Sequence, residues 1–271
     1  MDLHELLILL GDTEERLPGE DIRAALPLDP RTTAVLELAG RDSVAAALAT
    51  ETPTLLPTIV YTGTEYGDPS VLLHNLVLLR NRLGEERELL EPLVLGSPRW
   101  WAAVAGRFSS LLFRRYGHSF TCVGCHMYLH AVRVLLAARL GVGAVIAGER
   151  ERHGPRVKVN QLPEALDAYA HVARSFGVEL LMPLREVSGE EEMGRLVPGW
   201  GEGERQRRCV LSGNYLDEYG GFDPRDALPA LRSYLDEFLV PLTFRLLGSF
   251  LGEGEELDPV REAADILESR G

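Results

Sequence analysis

The chain has 271 residues, with 28 Lys and Arg against 41 Asp and Glu, a formal net charge of −13. Hydrophobic residues make up 45% and charged residues 25%, the composition of a folded globular chain, which excludes a fibrous or mostly disordered one. Three cysteines are too few for a disulfide scaffold, and two of them stand together as Cys122-Val-Gly-Cys125, a spacing that favours metal or redox chemistry in a reducing compartment.

Residues 6–10 are apolar, but Asp2 and Glu5 stand where a signal peptide wants basic residues, so a cytoplasmic protein with a helical N-terminal segment over 1–30 is expected. Residues 32–38 are β-branched and apolar and read as a strand, followed by the tight loop Ala39-Gly-Arg-Asp-Ser43 and an alanine-rich helix over 44–49. A second strand is expected at 55–61 and a helix at 69–83, with Pro69 well placed near its start. A short apolar segment at 92–95 and a helix over 99–116 come next. Helix 125–140, strand 144–147, helix 162–176 and strand 178–182 continue the alternation. Strands separated by helices of this length imply an α/β fold, a doubly wound parallel sheet of Rossmann-like type with helices on both faces.

Residues 199–208 are glycine-rich and charged and read as a surface loop. Residues 224–251 read as amphipathic helix, and the last twenty as a short exposed acidic helix or tail. The expected organisation is therefore an N-terminal segment 1–30, an α/β domain 31–222 and a helical C-terminal extension 223–271. No apolar stretch is long enough to span a bilayer by this reading; 238–251, broken by Pro241 and Arg245, is a plausible homodimer surface if it is not core.

In a doubly wound sheet the loop between the first strand and its helix is a ligand site, because backbone N–H groups and the positive helix end face the ligand. Small residues at Ala39 and Gly40 let an anion approach the backbone, and Ser43 offers a hydroxyl. The plain alternative is a tight turn with Asp42 as N-cap.

The segment Leu38-Ala-Gly-Arg-Asp-Ser43 resembles the PP-loop of the ATP pyrophosphatase superfamily, whose pattern is Ser-Gly-Gly-x-Asp-Ser at the end of the first strand. Gly40, Asp42 and Ser43 match, while Leu38 and Ala39 stand where that pattern has its first serine and glycine. The resemblance implies a PP-loop (HUP-like) fold with ATP at Ala39, Gly40, Arg41, Asp42 and Ser43, and with the base near Tyr61 and Thr62 at the end of the second strand. Asp42 would help position Mg2+.

Cys122, Cys125 and the distant Cys209 can grip one metal centre. Within the PP-loop group this set resembles the iron–sulfur-dependent tRNA thiolation enzymes that make 2-thiouridine or 2-thiocytidine. That resemblance covers roughly residues 30–215 and implies a [4Fe–4S] cluster with one iron free of protein. A zinc site, a persulfide pair without metal and inert packing cysteines remain alternatives, and His126 and His130, one helical turn apart, read as a packed or exposed helix face rather than ligands.

Positive charge is focused at 148–158 and at Arg205, Arg207 and Arg208. Lys158 is the one lysine, and a compact ammonium is not replaced by a planar guanidinium. Lys158 and Arg150 are expected to stabilise charge at the α-phosphate.

The expected function is an ATP-dependent, [4Fe–4S]-dependent sulfurtransferase that adenylates an acceptor carbonyl and replaces its oxygen with sulfur. Its partners would be ATP, a sulfide or sulfur carrier, and a tRNA base or small-molecule acceptor. The alternatives are a cluster-dependent desulfurase that uses no ATP, a zinc-stabilised nucleotide-binding protein, and a PP-loop ligase with a structural metal.

Overall fold

Side chains alternate across a strand, so a strand covered on both faces is apolar at every position. In β2 (Thr33–Glu37) and β3 (Thr54–Val60) the apolar positions serve both faces: Val35 and Leu56 enter one core, and Ala34, Leu36 and Leu55 enter a second core on the opposite face, while the buried Thr58 hydroxyl donates to Leu36 O. The computed structural model describes residues 7–9, 28–153, 157–201, 203–252 and 257–269.

Ahead of these strands lies β1 (Leu7–Leu9), and between them α1 (Arg41–Leu48). The chain continues through β4 (Glu65–Tyr66), α2 (Ser70–Arg82), β5 (Glu88–Leu89), β6 (Leu93–Gly96) and α3 (Pro98–Trp101), then a π-helical turn, Ala102–Gly106. Next come α4 (Ser109–Tyr116), α5 (Thr121–Leu140), β7 (Ala144–Ile146), a 3-10 turn Val159–Gln161, α6 (Pro163–Ser175) and β8 (Glu179–Leu181). The last elements are α7 (Glu190–Leu196), β9 (Arg208–Cys209), α8 (Pro224–Tyr234), α9 (Val240–Leu251) and α10 (Pro259–Glu268).

The main sheet runs β1-β6-β3-β2-β7-β8, with β5 beside the start of β3, and all its pairings are parallel. Strand order reverses between β2 and β7, and in such open sheets ligands bind at that crevice, outside the carboxyl ends of the strands. The fold is therefore α/β and Rossmann-like. A separate antiparallel ribbon pairs β4 with β9 and carries Cys209.

Helices α1, α2 and α7 cover one face, where Val44, Leu79 and Met193 pack. The other face is covered by α5, α6 and the C-terminal helices. Local signals set several boundaries: Ser97 Oγ accepts from Trp100 N–H beside Pro98, and Gly117 and Gly141 end α4 and α5 in the left-handed conformation.

Several expectations change. The N-terminal segment, expected as helix, contains strand β1 at the sheet edge, and the rest of it up to residue 27 lies outside the described residues. The apolar run at 92–95 is strand β6, and the single helix expected over 99–116 is divided by the π turn. The possible dimer surface at 238–251 is core: Phe238, Leu242, Leu246 and Leu247 are fully buried, so the C-terminal helices complete the main core instead of appending to it. Helix α10 is amphipathic and buries Ala263, Ile266 and Leu267, so the last turns are not a free tail; 253–256 and 270–271 lie outside the described residues. Among the described residues one helix, α5, is long and apolar enough to cross a membrane by length and composition, which the sequence reading overlooked. Burial of 78% of its apolar window makes it the central helix of the core.

Candidate functional site at the strand switch point

The 39–43 loop leaves β2 at the switch point. Gly40 caps α1 with no side-chain hydrogen bond at that end, so Asp42 is a first-turn residue and not the N-cap. The Ser43 hydroxyl donates to Gly40 O at 2.8 Å and accepts from Ala39 N–H at 2.9 Å, which ties the loop to itself. Gly148, just past β7, lies so close to the loop that a Cβ there would be 2.6 Å from Asp42 C and Ser43 N. Its N–H donates to Glu37 Oε2 at 3.0 Å. Only glycine permits this approach of backbone to backbone.

Three adjoining cavities open here. A strand-end cavity of about 490 Å³ is walled by Glu37 to Gly40, Ile59, Val60, Arg133 and Gln206 to Cys209. A loop cavity of about 130 Å³ shares Glu37, Ala39, Gly40 and Gln206 with it and adds Asp42, Ser43, His126 and Glu149. A third, of about 200 Å³, contains Cys122, Cys125, Cys209 and Lys158; it shares Cys209 and Ser212 with the first and His126 and Gln161 with the second.

The three cysteines, expected from spacing to act together, line this one cavity. Cys122 Sγ–H donates to Leu211 O at 3.3 Å and lies 3.4 Å from Asn214 Oδ1. Trp101 Nε1–H donates to Cys125 Sγ at 3.3 Å, and Leu211 N–H to Cys209 Sγ at 3.4 Å. All three are free cysteines. Burial and the neighbouring sulfurs push the Cys122 thiol up to about 12, and burial does the same for Cys125 against the Trp101 bond, so both are protonated and a metal must displace their protons. Among the described residues, the three ligand atoms that all lie within 4.8 Å of one another are those of His126, His130 and Glu149; the three sulfurs do not meet that limit. In a tetrahedral zinc site with bonds of about 2.3 Å the sulfurs would be about 3.8 Å apart.

An unbroken run of hydrogen bonds links the loop to the cysteine side. Arg150 Nε donates to Asp42 Oδ2 at 3.0 Å, and Arg150 Nη2 to His153 Nδ1 at 2.9 Å. His153 Nε2 donates to Gln161 Oε1, and Gln161 Nε2 to Glu149 Oε2 at 2.6 Å. Glu149 Oε1 accepts from His126 Nδ1 at 2.7 Å and His130 Nε2 at 3.0 Å, and Asn160 Nδ2 lies 3.0 Å from His126 Nε2. Burial, Lys158 and Arg150 hold His153 down to about 4, so it is neutral, as its acceptor role requires. Burial alone would raise the Glu149 carboxyl; the two histidines outweigh it and hold Glu149 well below the usual range.

The other expected residues divide. Ala39, Gly40, Asp42 and Ser43 face cavities. Asp42 is already taken by Arg150 and, at 3.4 Å, by Arg41 Nε, which makes it a neutralised wall rather than a free magnesium ligand. Arg41 turns away, forked onto Glu190 at 2.6 and 2.9 Å. Arg150 is buried beneath the loop and positions Asp42 and His153 instead of meeting a phosphate itself. Lys158 lines the cysteine cavity, 3.4 Å from His153 Nδ1. Ile59 and Val60 form the strand-end wall, whereas Tyr61 is 48% exposed and the Thr62 hydroxyl is paired with Thr64. Of the basic run at 148–158, Gly148 and Arg150 lie against the loop and Lys158 in the cysteine cavity; 154–156 are outside the described residues. Arg207 and Arg208 line the strand-end cavity, and Arg205 stacks over Trp200.

Sequence reading missed Arg133, buried in the strand-end wall, where Nε donates to Thr58 Oγ1 at 3.1 Å and Nη1 to Leu129 O at 3.1 Å. A single charge inside the apolar run Val132-Arg-Val-Leu-Leu136 was its signal. Asn75 was also missed: fully buried, it donates to Ala39 O at 2.8 Å and Arg205 O at 2.7 Å, joining the loop to the strap that carries Cys209.

These features define a Rossmann-like α/β protein with a cavity system at its switch point. The chain is 37% identical over 226 residues to the Uncharacterized protein MJ0009 of Methanocaldococcus jannaschii, covering 80% of each, and it belongs to that protein's family. No protein-family model matches the chain, and no solved structure matches it.

Proposed function

We propose that this protein is a PP-loop-type, ATP-dependent sulfurtransferase in which Cys122, Cys125 and Cys209 hold a [4Fe–4S] cluster. The observation that carries the reading is the shared wall: Cys209 and Ser212 line both the cysteine cavity and the strand-end cavity beside the 39–43 loop. A nucleotide and a thiolate centre would therefore be neighbours.

The strand-end cavity, about 490 Å³, is of the size that takes a small ligand. Arg207 Nε is buried in its wall with no partner, a donor left for a ligand oxygen. Phosphates would meet the uncapped end of α1, and the base the wall at Ile59, Val60 and Leu72. In this reading the acceptor's carbonyl oxygen attacks the α-phosphate, pyrophosphate leaves, and the carbon then exchanges AMP for sulfur. The bound cluster would present one iron free of protein and supply or carry that sulfur. Lys158, in the cysteine cavity wall, would place an ammonium where negative charge develops.

The cysteines suit this group: they reach one cavity from two elements, and N–H donors point at two of the sulfurs. Acceptor approach is favoured along an open groove of about 620 Å³ bordered by Trp101, Ser110, Phe113, Arg114 and Asn214, which contains no carboxylate although the chain is acidic. In this reading a phosphate-bearing acceptor such as a tRNA would meet Arg114 there. Reduced thiols fit a cytoplasmic setting.

Protein purified without oxygen should contain about four iron and four sulfide per chain, lost in Cys125→Ala. Zinc, or no metal, overturns the reading. ATP-dependent release of pyrophosphate with a sulfide donor separates it from a desulfurase that uses the same cysteines without ATP.

A further inference from the structure

His126 and His130 lie four residues apart on α5, which places their rings on one helix face, and Glu149 meets them from the end of β7. Ligand atoms bound at about 2.1 Å and at right angles around one ion are about 3.0 Å apart. Glu149 Oε1 is 2.7 Å from His126 Nδ1 and 3.0 Å from His130 Nε2, the spacing of neighbours in one coordination shell.

We propose that His126, His130 and Glu149 form a binding site for one divalent transition ion, separate from the cysteines and open toward the loop cavity. Two imidazoles and a carboxylate suit Zn2+, Co2+, Mn2+ or Fe2+, not the all-oxygen shells of Mg2+ and Ca2+.

The surroundings are those of a supported site. Gln161 Nε2 fixes the second carboxylate oxygen at 2.6 Å, and the Asn160 amide lies 3.0 Å from the far nitrogen of His126. To bind an ion, each histidine must move its proton to its other nitrogen. His130 Nδ1 is buried and makes no hydrogen bond, so the change of tautomer breaks nothing there. At His126 the change requires only that the Asn160 amide turn over and accept at its oxygen. Any third proton, from a charged imidazole, passes to solvent on binding.

His126 and Glu149 also line the loop cavity with Gly40, Ser43 and Gly148, while His130 lies behind them. The ion would have protein ligands on its buried side and free positions facing the uncapped end of α1, the place where an anionic ligand oxygen would lie. Glu37 and Asp42 in the same wall offset the positive charge of Arg150 and Lys158 nearby.

The test is cobalt titration of the full chain carrying Cys122→Ser, Cys125→Ser and Cys209→Ser, followed by calorimetry and visible absorption. One equivalent should bind with weak d–d bands and no sulfur charge-transfer band. Adding His130→Ala or Glu149→Gln should weaken binding at least tenfold, and Asn160→Ala by roughly tenfold. No bound cobalt, or binding indifferent to His130→Ala, overturns the proposal. If the serine variant does not fold, Mn2+ titration of the wild-type chain by NMR replaces it: the His126 and His130 imidazole signals should broaden before those of His74, His118 and His171, and uniform or absent broadening overturns the proposal. Because the cobalt test is run without cysteines, its failure and failure of the cluster reading are distinguishable.

Discussion

The 39–43 loop and the cysteine cavity share one edge of the sheet, yet they are held in opposite ways. Around the loop the side chains are bound to the protein: Ser43 closes the turn, Arg150 grips Asp42, and Gly148 lets two backbones touch. The cysteines are gathered from α5 and β9 by one or two contacts each, of 3.3 to 3.4 Å to sulfur. Sulfur is a weak partner in such contacts, so they contribute little cohesion. The loop side is fixed by strong polar contacts and close backbone packing, the cysteine side by weak contacts to sulfur.

Substitutions on the two sides should therefore separate stability from metal content. The largest stability loss is expected for Arg150→Met, which removes a buried guanidinium from Asp42 and His153; with Asp42 partly hydrated the cost should be about 3 kcal/mol, read by urea unfolding. Gly148→Ala should follow at about 2 kcal/mol, because its methyl group meets backbone that has no room to yield. Cys122→Ser in metal-free protein should cost less than about 1 kcal/mol while abolishing iron binding. A loss as large as that of Arg150→Met would break the contrast.

Acid pH gives a finer probe of the loop side. His153 titrates near 4 when folded, because of burial, Lys158 and Arg150, against about 6.5 unfolded. The folded state takes up fewer protons, so this contribution is complete above pH 6.5 and is lost as pH falls toward 4. His153→Gln should flatten the pH dependence of stability across that window. Unchanged curvature would mean that another group governs it.

Much of the fold was legible because it rests on local pattern. The apolar runs of β2 and β3, Pro69 near the start of α2 and the helix over 162–176 each carry their own signal in sequence. Short strands did not: β4 and β9 have two residues each and exist only because Glu65 and Tyr66 meet Cys209 and Arg208 across the chain. Residue chemistry and spacing grouped Cys122, Cys125 and Cys209, and they line one cavity. Arg41 and Arg150 were misplaced because their direction depends on Glu190 and Asp42, which sequence proximity does not reveal.

By itself, the order of apolar and polar residues determined an α/β chain with a loop at the first strand end and a rare set of three cysteines. Tertiary structure decided which side chains face a cavity and which become internal braces, and it turned the segment at 238–251 from candidate surface into core. The physical reason is range. Strand and helix patterns arise from neighbours one to four residues apart, whereas the charge on Glu149, the direction of Arg150 and the meeting of Cys209 with Cys122 depend on contacts that exist only after the sheet has closed.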